Sequence, residues 1–240
     1  MAAADSLLEP LSAAPSEAAL VFDVDGTLAP IVLDPAAAVV PPETRAELAR
    51  LARTYALVAC VSGRPGDEAR RIVGLESLTY VGNHGLELDP AAANLAPAIA
   101  RFRESVRRPA EDKGLTLSFH YRDADDEAAA VRELEAVASA AREAGLEPRW
   151  GRKVLEIRPP VPSDKGTAVK TLIERSGVRR ALYAGDDTTD LDAFIGLNEA
   201  GLEHTVRIAV VSDEAPSELA AAADLAVRGP DELAALLRDL

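Results

Sequence analysis

The chain has 240 residues, 48% of them hydrophobic and only 4% aromatic, which suits one large domain or a core with a smaller insert, built mainly on Ala, Leu and Val. A formal charge of −14 speaks against nucleic acid or an anionic membrane as partner, and no run nears the roughly 18 apolar residues that a spanning helix needs. The single Cys60 excludes an intramolecular disulfide framework and fits a reducing compartment. The first 20 residues hold no Lys or Arg, so no secretory signal is expected, and the chain reads as a cytoplasmic monomer.

Residues 1–18, rich in Ala, Ser and Pro, read as a flexible arm. Leu20-Val21-Phe22-Asp23-Val24 then has the composition of a buried parallel strand, interrupted only by Asp23. A carboxylate is tolerated there when the strand is ending and the group has chemistry to perform. Asp25 follows two residues later, so strand alternation aims both carboxyls the same way, and Gly26 lets the backbone turn before the hydroxyl of Thr27. Residues 29–40 read as a loop, 43–54 as a helix, 57–61 as a second strand stopping at Ser62-Gly63-Arg64-Pro65, 66–73 as a helix and 79–81 as a third strand ending in Gly82-Asn83-His84-Gly85-Leu86-Glu87. Strands alternating with helices over short links predict an α/β fold with a Rossmann-like parallel sheet.

The rhythm changes between residues 88 and 160, where two long helical patterns (91–108 and 126–144) and short strands (115–121, 146–150, 153–157) predict an inserted, smaller α+β domain. Leu88–Asp89 and the prolines at 159–162 are the expected hinges. The first rhythm resumes with a helix capped by Ser163-Asp164 and opened by Lys165, a strand 180–184 stopping at Gly185-Asp186-Asp187-Thr188-Thr189-Asp190, and helices and strands to the end, including a helix over 215–223. The domain plan is therefore a core of residues 19–87 and 161–240 around an insert of 88–160.

In such a sheet the strand ends converge, and ligands bind beyond them. Ser62 offers a hydroxyl beside Gly63, whose backbone can approach an oxyanion closely. Lys165 lies at a helix N-terminus, where the dipole repels a cation unless an anionic ligand offsets it. Three carboxylates among the five residues 186–190 repel one another unless water or a cation intervenes, and hard oxygen ligands of this kind favour Mg²⁺. The plainer alternatives are an Asp-Gly turn at Asp25-Gly26 and an acidic first helical turn after Gly185.

The ordered set Asp23-x-Asp25-Gly26-Thr27, Ser62, Lys165 and Gly185-Asp186-Asp187 resembles the motifs of the haloacid dehalogenase superfamily. Over nearly its whole length the chain also looks like the trehalose-6-phosphate phosphatase family, through Val61-Ser62-Gly63-Arg64, Gly82-Asn83-His84-Gly85-Leu86-Glu87, Phe119-His120-Tyr121-Arg122, Lys153-Val154-Leu155-Glu156-Ile157-Arg158-Pro159, Asp164-Lys165-Gly166 and the stretch from Gly185 to Phe194. It departs from that pattern at Leu191, where the family usually has Glu, and at Arg152, where it often has Lys. The resemblance implies Mg²⁺-dependent hydrolysis of trehalose 6-phosphate, with Asp23 as nucleophile and Asp25 as acid and base. It implies phosphate binding by Thr27, Ser62, Gly63 and Lys165, and a metal held by Asp23, Asp25 through its carbonyl, and Asp186, with Asp187 and Asp190 behind them or as alternative ligands. A glucose-type substrate asks for planar polar groups on an apolar wall, for which His84, Glu87, Arg152, Lys153 and Glu156 are the expected contacts. A phosphatase for sucrose 6-phosphate or mannosyl-3-phosphoglycerate is the related alternative, and a silent sugar-phosphate-binding regulator the distant one.

Overall fold

The protein is described by a computed structural model covering residues 2–151, 153–212 and 216–240. It divides into two compact units, residues 1–85 with 163–240, and residues 86–162. Two expectations, a sugar contact by Arg152 and a helix start at Ala215, lie outside the described residues. No helix among those described is long and apolar enough to cross a membrane.

The first unit is built on a six-stranded sheet in the order β10 (Leu225–Arg228), β9 (His204–Val211), β8 (Arg180–Gly185), β1 (Ala18–Phe22), β2 (Leu57–Val61), β3 (Thr79–Val81). All five pairings are parallel. β1 is buried along its entire length, as a central parallel strand covered on both faces must be. Alternate residues Leu20, Phe22, Val58, Cys60, Leu182, Ala184 and Ile208 join one apolar cluster with Leu48 and Leu51 of α2 (Pro42–Leu51), Ile72 of α3 (Gly66–Val73) and Leu233 and Leu237 of α9 (Gly229–Leu237). On the other side of the unit, α6 (Lys165–Ser176) and α7 (Thr189–Glu199) pack against each other. Their contact is backbone to backbone: a Cβ on Gly196 would lie 2.1 Å from the Gly166 carbonyl oxygen, and one on Gly166 would lie 2.3 Å from that of Asp192.

The segment expected to be a flexible arm is different. Residues 2–12 form helix α1 (Ala2–Ser12), followed by a 3₁₀ turn at Pro15–Glu17. Leu8 and Leu11 stand three apart on one helical face, and both are buried in the main apolar cluster. The Leu7 carbonyl accepts a hydrogen bond from Nε2 of His204 at 2.8 Å. The Ala content that reads as an unstructured tail is equally good helix-forming composition, and two leucines suffice to dock it.

The second unit is a four-stranded antiparallel sheet in the order β4 (Glu111–Asp112), β5 (Leu117–His120), β7 (Val154–Arg158), β6 (Glu147–Gly151). Leu117 and Phe119 of β5 oppose Ile157 and Leu155 of β7, and these pack with Ile99 and Phe102 of α4 (Pro90–Ser105) and Leu134 and Ala138 of α5 (Glu127–Glu143). The other sheet face is polar, with Ser118, Glu156 and Arg149 side by side on three neighbouring strands.

Candidate active site

Strand order reverses between β1 and β8: β2 and β3 follow on one side of β1, β9 and β10 on the far side of β8. The carboxyl ends at such a reversal leave a crevice for ligands. Asp23 leaves β1 there, its backbone N–H still bonded to the Ala184 carbonyl of β8 at 2.9 Å. The chain then wraps tightly, with Leu28 and Ala29 N–H groups returning to the Val24 carbonyl and Gly26 at φ +79°. Only glycine fits that turn, because a Cβ on Gly26 would sit 2.1 Å from Oδ2 of Asp186. Thr27, wholly buried, donates its hydroxyl to Oδ1 of Asp186 at 3.0 Å. The hydroxyl expected on phosphate thus orients a carboxylate in this structure.

Lys165 opens α6 after a capping box formed by Asp164 and Thr167. Its ammonium is 3% exposed and lies 2.8 Å from Oδ1 of Asp23 and 2.6 Å from Oδ1 of Asp190. Asp190 is fully buried and accepts four hydrogen bonds: from Lys165, from the Tyr183 hydroxyl at 2.6 Å, and from the backbone N–H groups of Asp186 and Asp187 at 2.9 Å each. A carboxylate has about four lone-pair positions, so Asp190 is saturated by this chain alone. Asp187 points elsewhere. Its side chain is exposed, and the acids whose oxygens cluster are Asp23, Asp186 and Asp190.

Burial dominates the electrostatics. It pushes the Asp23 carboxyl well above the ordinary carboxylate range, with Lys165 opposing and Asp190 and Asp186 adding to the rise. Burial also lifts Asp186 from 3.8 to about 6, reinforced by Asp190. For Lys165, burial alone would lower the pKa, but Asp190 and Asp23 outweigh it and keep the ammonium charged.

Ser62 ends β2, beside β1, and is 1% exposed. Its hydroxyl oxygen accepts the Arg64 backbone N–H at 3.2 Å. The imidazole of His84 lies directly over Gly63, 2.7 Å from where a Cβ would be. His84 and Asn83 hold left-handed backbone (φ +52° and +51°), and their N–H groups bond the Ser62 and Arg64 carbonyls at 3.0 and 2.9 Å. Side chains in that region carry about 1–3 kcal/mol of strain each, which the turn around Gly63 sustains. Arg64 grips both oxygens of Asp25, from Nε and from a terminal nitrogen, each at 2.7 Å.

Residues 21–97 and 100–231 match the model of the family described as trehalose-phosphatase. The chain belongs to that family. It is 34% identical over 204 residues to the probable trehalose-phosphate phosphatase 4 of Oryza sativa subsp. japonica, covering 75% of this chain and 55% of that one. It is also 34% identical over 224 residues to the trehalose-phosphate phosphatase of Mycobacterium marinum, covering 84% and 57%. The chain thus spans a little over half the length of these curated relatives. The fold resembles that of a crystallised trehalose-6-phosphate phosphatase related protein, with a TM-score of 0.74 at 23% identity over 92% of this chain and 95% of the other.

In this member of the trehalose-phosphatase family, oxygens of Asp23, Asp186 and Asp190 lie within 4.8 Å of one another, a grouping that could hold a metal ion, in which Asp190 already has its acceptor positions filled. Of the residues expected to meet sugar, His84 lies in the first unit, and Glu87, Lys153 and Glu156 in the second. Glu87 is exposed; Lys153, at φ +62° in the β6–β7 turn, pairs with Glu127 at the start of α5. Glu156 is half-buried on the polar sheet face between Ser118 and Arg149. His120 binds Glu111 at 2.8 Å and so ties β5 to β4.

Two residues of this site carry little weight in the sequence. Tyr183 is the one aromatic in an aliphatic buried strand, and a buried hydroxyl demands a partner, so that signal was present. Arg64 adjoins Ser62-Gly63, but its partner Asp25 is 39 residues distant, and only the β1–β2 register brings them together.

Proposed function

We propose that this protein is a cytoplasmic, monomeric phosphatase that hydrolyses trehalose 6-phosphate to trehalose and inorganic phosphate with Mg²⁺. The observation that carries this reading is Lys165 buried between Asp23 and Asp190 at the sheet's reversal point, which supports a role for the ammonium on phosphoryl oxygens and for the neighbouring carboxylate as nucleophile. Membership of the trehalose-phosphatase family supports the substrate.

A Mg²⁺ ion fits the donor set. Asp23 is a buried and Asp186 a half-buried carboxylate, both with raised pKa values, and Asp186 fills the space that a Gly26 side chain would take. Asp23, Asp186 and the Asp25 carbonyl would hold the ion, while Asp190, its acceptor positions filled, orders Lys165 and the acidic loop. Bound there, Mg²⁺ supplies charge neutralisation of the phosphoryl group.

Asp23 forms a bond to phosphorus as the bond to the sugar oxygen breaks. The electron pair leaves on that oxygen, and the proton it takes comes from the Asp25 carboxyl, giving an aspartyl phosphate and free trehalose. Water then bonds to phosphorus, its proton passes to Asp25, and the aspartyl–phosphorus bond breaks to restore the Asp23 carboxylate and release phosphate. Lys165, Ser62 and the backbone at Gly63 hold the phosphoryl oxygens through both steps. His84, Glu87, Arg152, Lys153 and Glu156 are the proposed sugar contacts, with the 86–162 unit selecting the substrate.

Phosphate release with Mg²⁺ across trehalose 6-phosphate, sucrose 6-phosphate and mannosyl-3-phosphoglycerate tests this. Trehalose 6-phosphate is expected to be turned over best. Equal or faster turnover of sucrose 6-phosphate overturns the substrate assignment, and binding without phosphate release overturns the enzyme.

A further inference from the structure

The proposed mechanism gives Asp25 a proton to deliver, yet nothing in the turn that carries Asp25 fixes its side chain. The turn is a tight glycine-containing loop, and the Asp25 side chain is 31% exposed. Among the described residues its carboxylate hydrogen-bonds to Arg64 alone, through two bonds of 2.7 Å. Arg64 is held from three directions. A terminal nitrogen binds Glu68 one turn along α3, its N–H rests on the Ser62 hydroxyl oxygen at 3.2 Å, and its carbonyl accepts the Asn83 N–H at 2.9 Å. It is 15% exposed, so the fork is mostly shielded from water.

We propose that Arg64 is a positioning residue that sets the direction of the Asp25 carboxyl toward the leaving sugar oxygen. The inference rests on the phosphatase reading and adds to it the device that aims the acid. A two-pronged guanidinium–carboxylate pair fixes both the distance and the plane of the carboxyl, which a single ammonium cannot do. When Asp25 carries its proton, the protonated oxygen faces the substrate and gives up its bond to Arg64, while the other oxygen keeps its own. That remaining anchor limits the rotational freedom that proton delivery would otherwise have to overcome. The proton still travels from the Asp25 carboxyl to the sugar oxygen as the phosphorus–oxygen bond breaks; Arg64 gives up none of its own.

The test compares leaving groups. A sugar alkoxide needs the proton, whereas the 4-nitrophenolate of 4-nitrophenyl phosphate does not. The ratio of kcat on trehalose 6-phosphate to kcat on 4-nitrophenyl phosphate is measured for the wild type, Arg64→Ala, Arg64→Lys, Asp25→Asn and the Asp25→Asn/Arg64→Ala double variant, with thermal melts to verify folding. Arg64→Ala is expected to lower the ratio by roughly tenfold or more. Arg64→Lys, with the charge but without the fork, should stay impaired, and the double variant should match Asp25→Asn alone. An equal loss on both esters in Arg64→Ala, full recovery in Arg64→Lys, or a further fall in the double variant overturns the inference. Should the wild type prefer another sugar phosphate, the substrate assignment fails and the ratio is taken on that ester.

Discussion

Asp23 stands in two relationships at once, as a partner of Lys165 and as the group proposed to attack phosphorus. Asp23→Asn keeps the shape of the side chain and removes its charge. Lys165 retains Asp190 at 2.6 Å, so the buried ammonium is not left without an anion. Phosphate release should disappear while the circular dichroism spectrum and melting temperature stay close to wild type; retained turnover would refute attack by Asp23. At this scale the sequence was most informative about residues that end strands. Asp23, Ser62 and Asp186 each stop an apolar run, and that position alone marks them. It said less about partners, because Lys165–Asp190 and Arg64–Asp25 are separated by 25 and 39 residues and meet only through the packing of whole elements. Asp187 illustrates the limit: a turn of loop geometry sends its carboxylate outward and leaves Asp190, three residues on, in the cluster.

Elements carry the site because their ends are fixed by packing that has no chemistry of its own. The alternating strands and helices of the core were legible from apolar runs and turn residues, whereas the register of β1 between β2 and β8 was not, because a strand buried on both faces gives no alternation to fix it. The N-terminal helix was not legible, since Ala-rich sequence with two prolines serves an arm or a helix equally and only docking decides. Leu11→Ala should therefore destabilise the protein by about 2–5 kcal/mol in urea unfolding, as for other buried leucines, whereas an undocked arm would show almost no change. The close approach of α6 and α7 was hidden too, because Gly166 and Gly196 look like ordinary helix-weakening glycines. A methyl group at Gly196 meets backbone, which cannot rotate away. Gly196→Ala should cost about 1–3 kcal/mol of stability. It should also raise the KM for the phosphate ester, because Lys165 and Asp190 begin the two helices that it separates. A melting temperature and KM both unchanged would refute the contact.

For the molecule as a whole, ionising Asp186 works against folding. The folded protein binds the Asp186 proton more tightly than the unfolded chain, with a pKa of about 6 against 3.8. Its contribution to stability therefore falls as pH rises through that interval and stays lost above it. A divalent cation favours the ionised form and reverses the loss. Saturating Mg²⁺ should raise the melting temperature more at neutral pH than at about pH 5, where protons compete for Asp186. Equal shifts at both would detach the metal from that carboxylate.

Cys60, the one cysteine, lies within β2 with no surface exposed, and burial raises its thiol far above the range in which a thiolate forms. Maleimide reagents should consequently leave the native protein unlabelled and react only after denaturation. That silence is an experimental opening. A cysteine substituted for exposed Glu143 in α5 and another for exposed Glu174 in α6 would be the reactive thiols of the chain, one on each unit. A label on either position would then report on its own unit without background from Cys60.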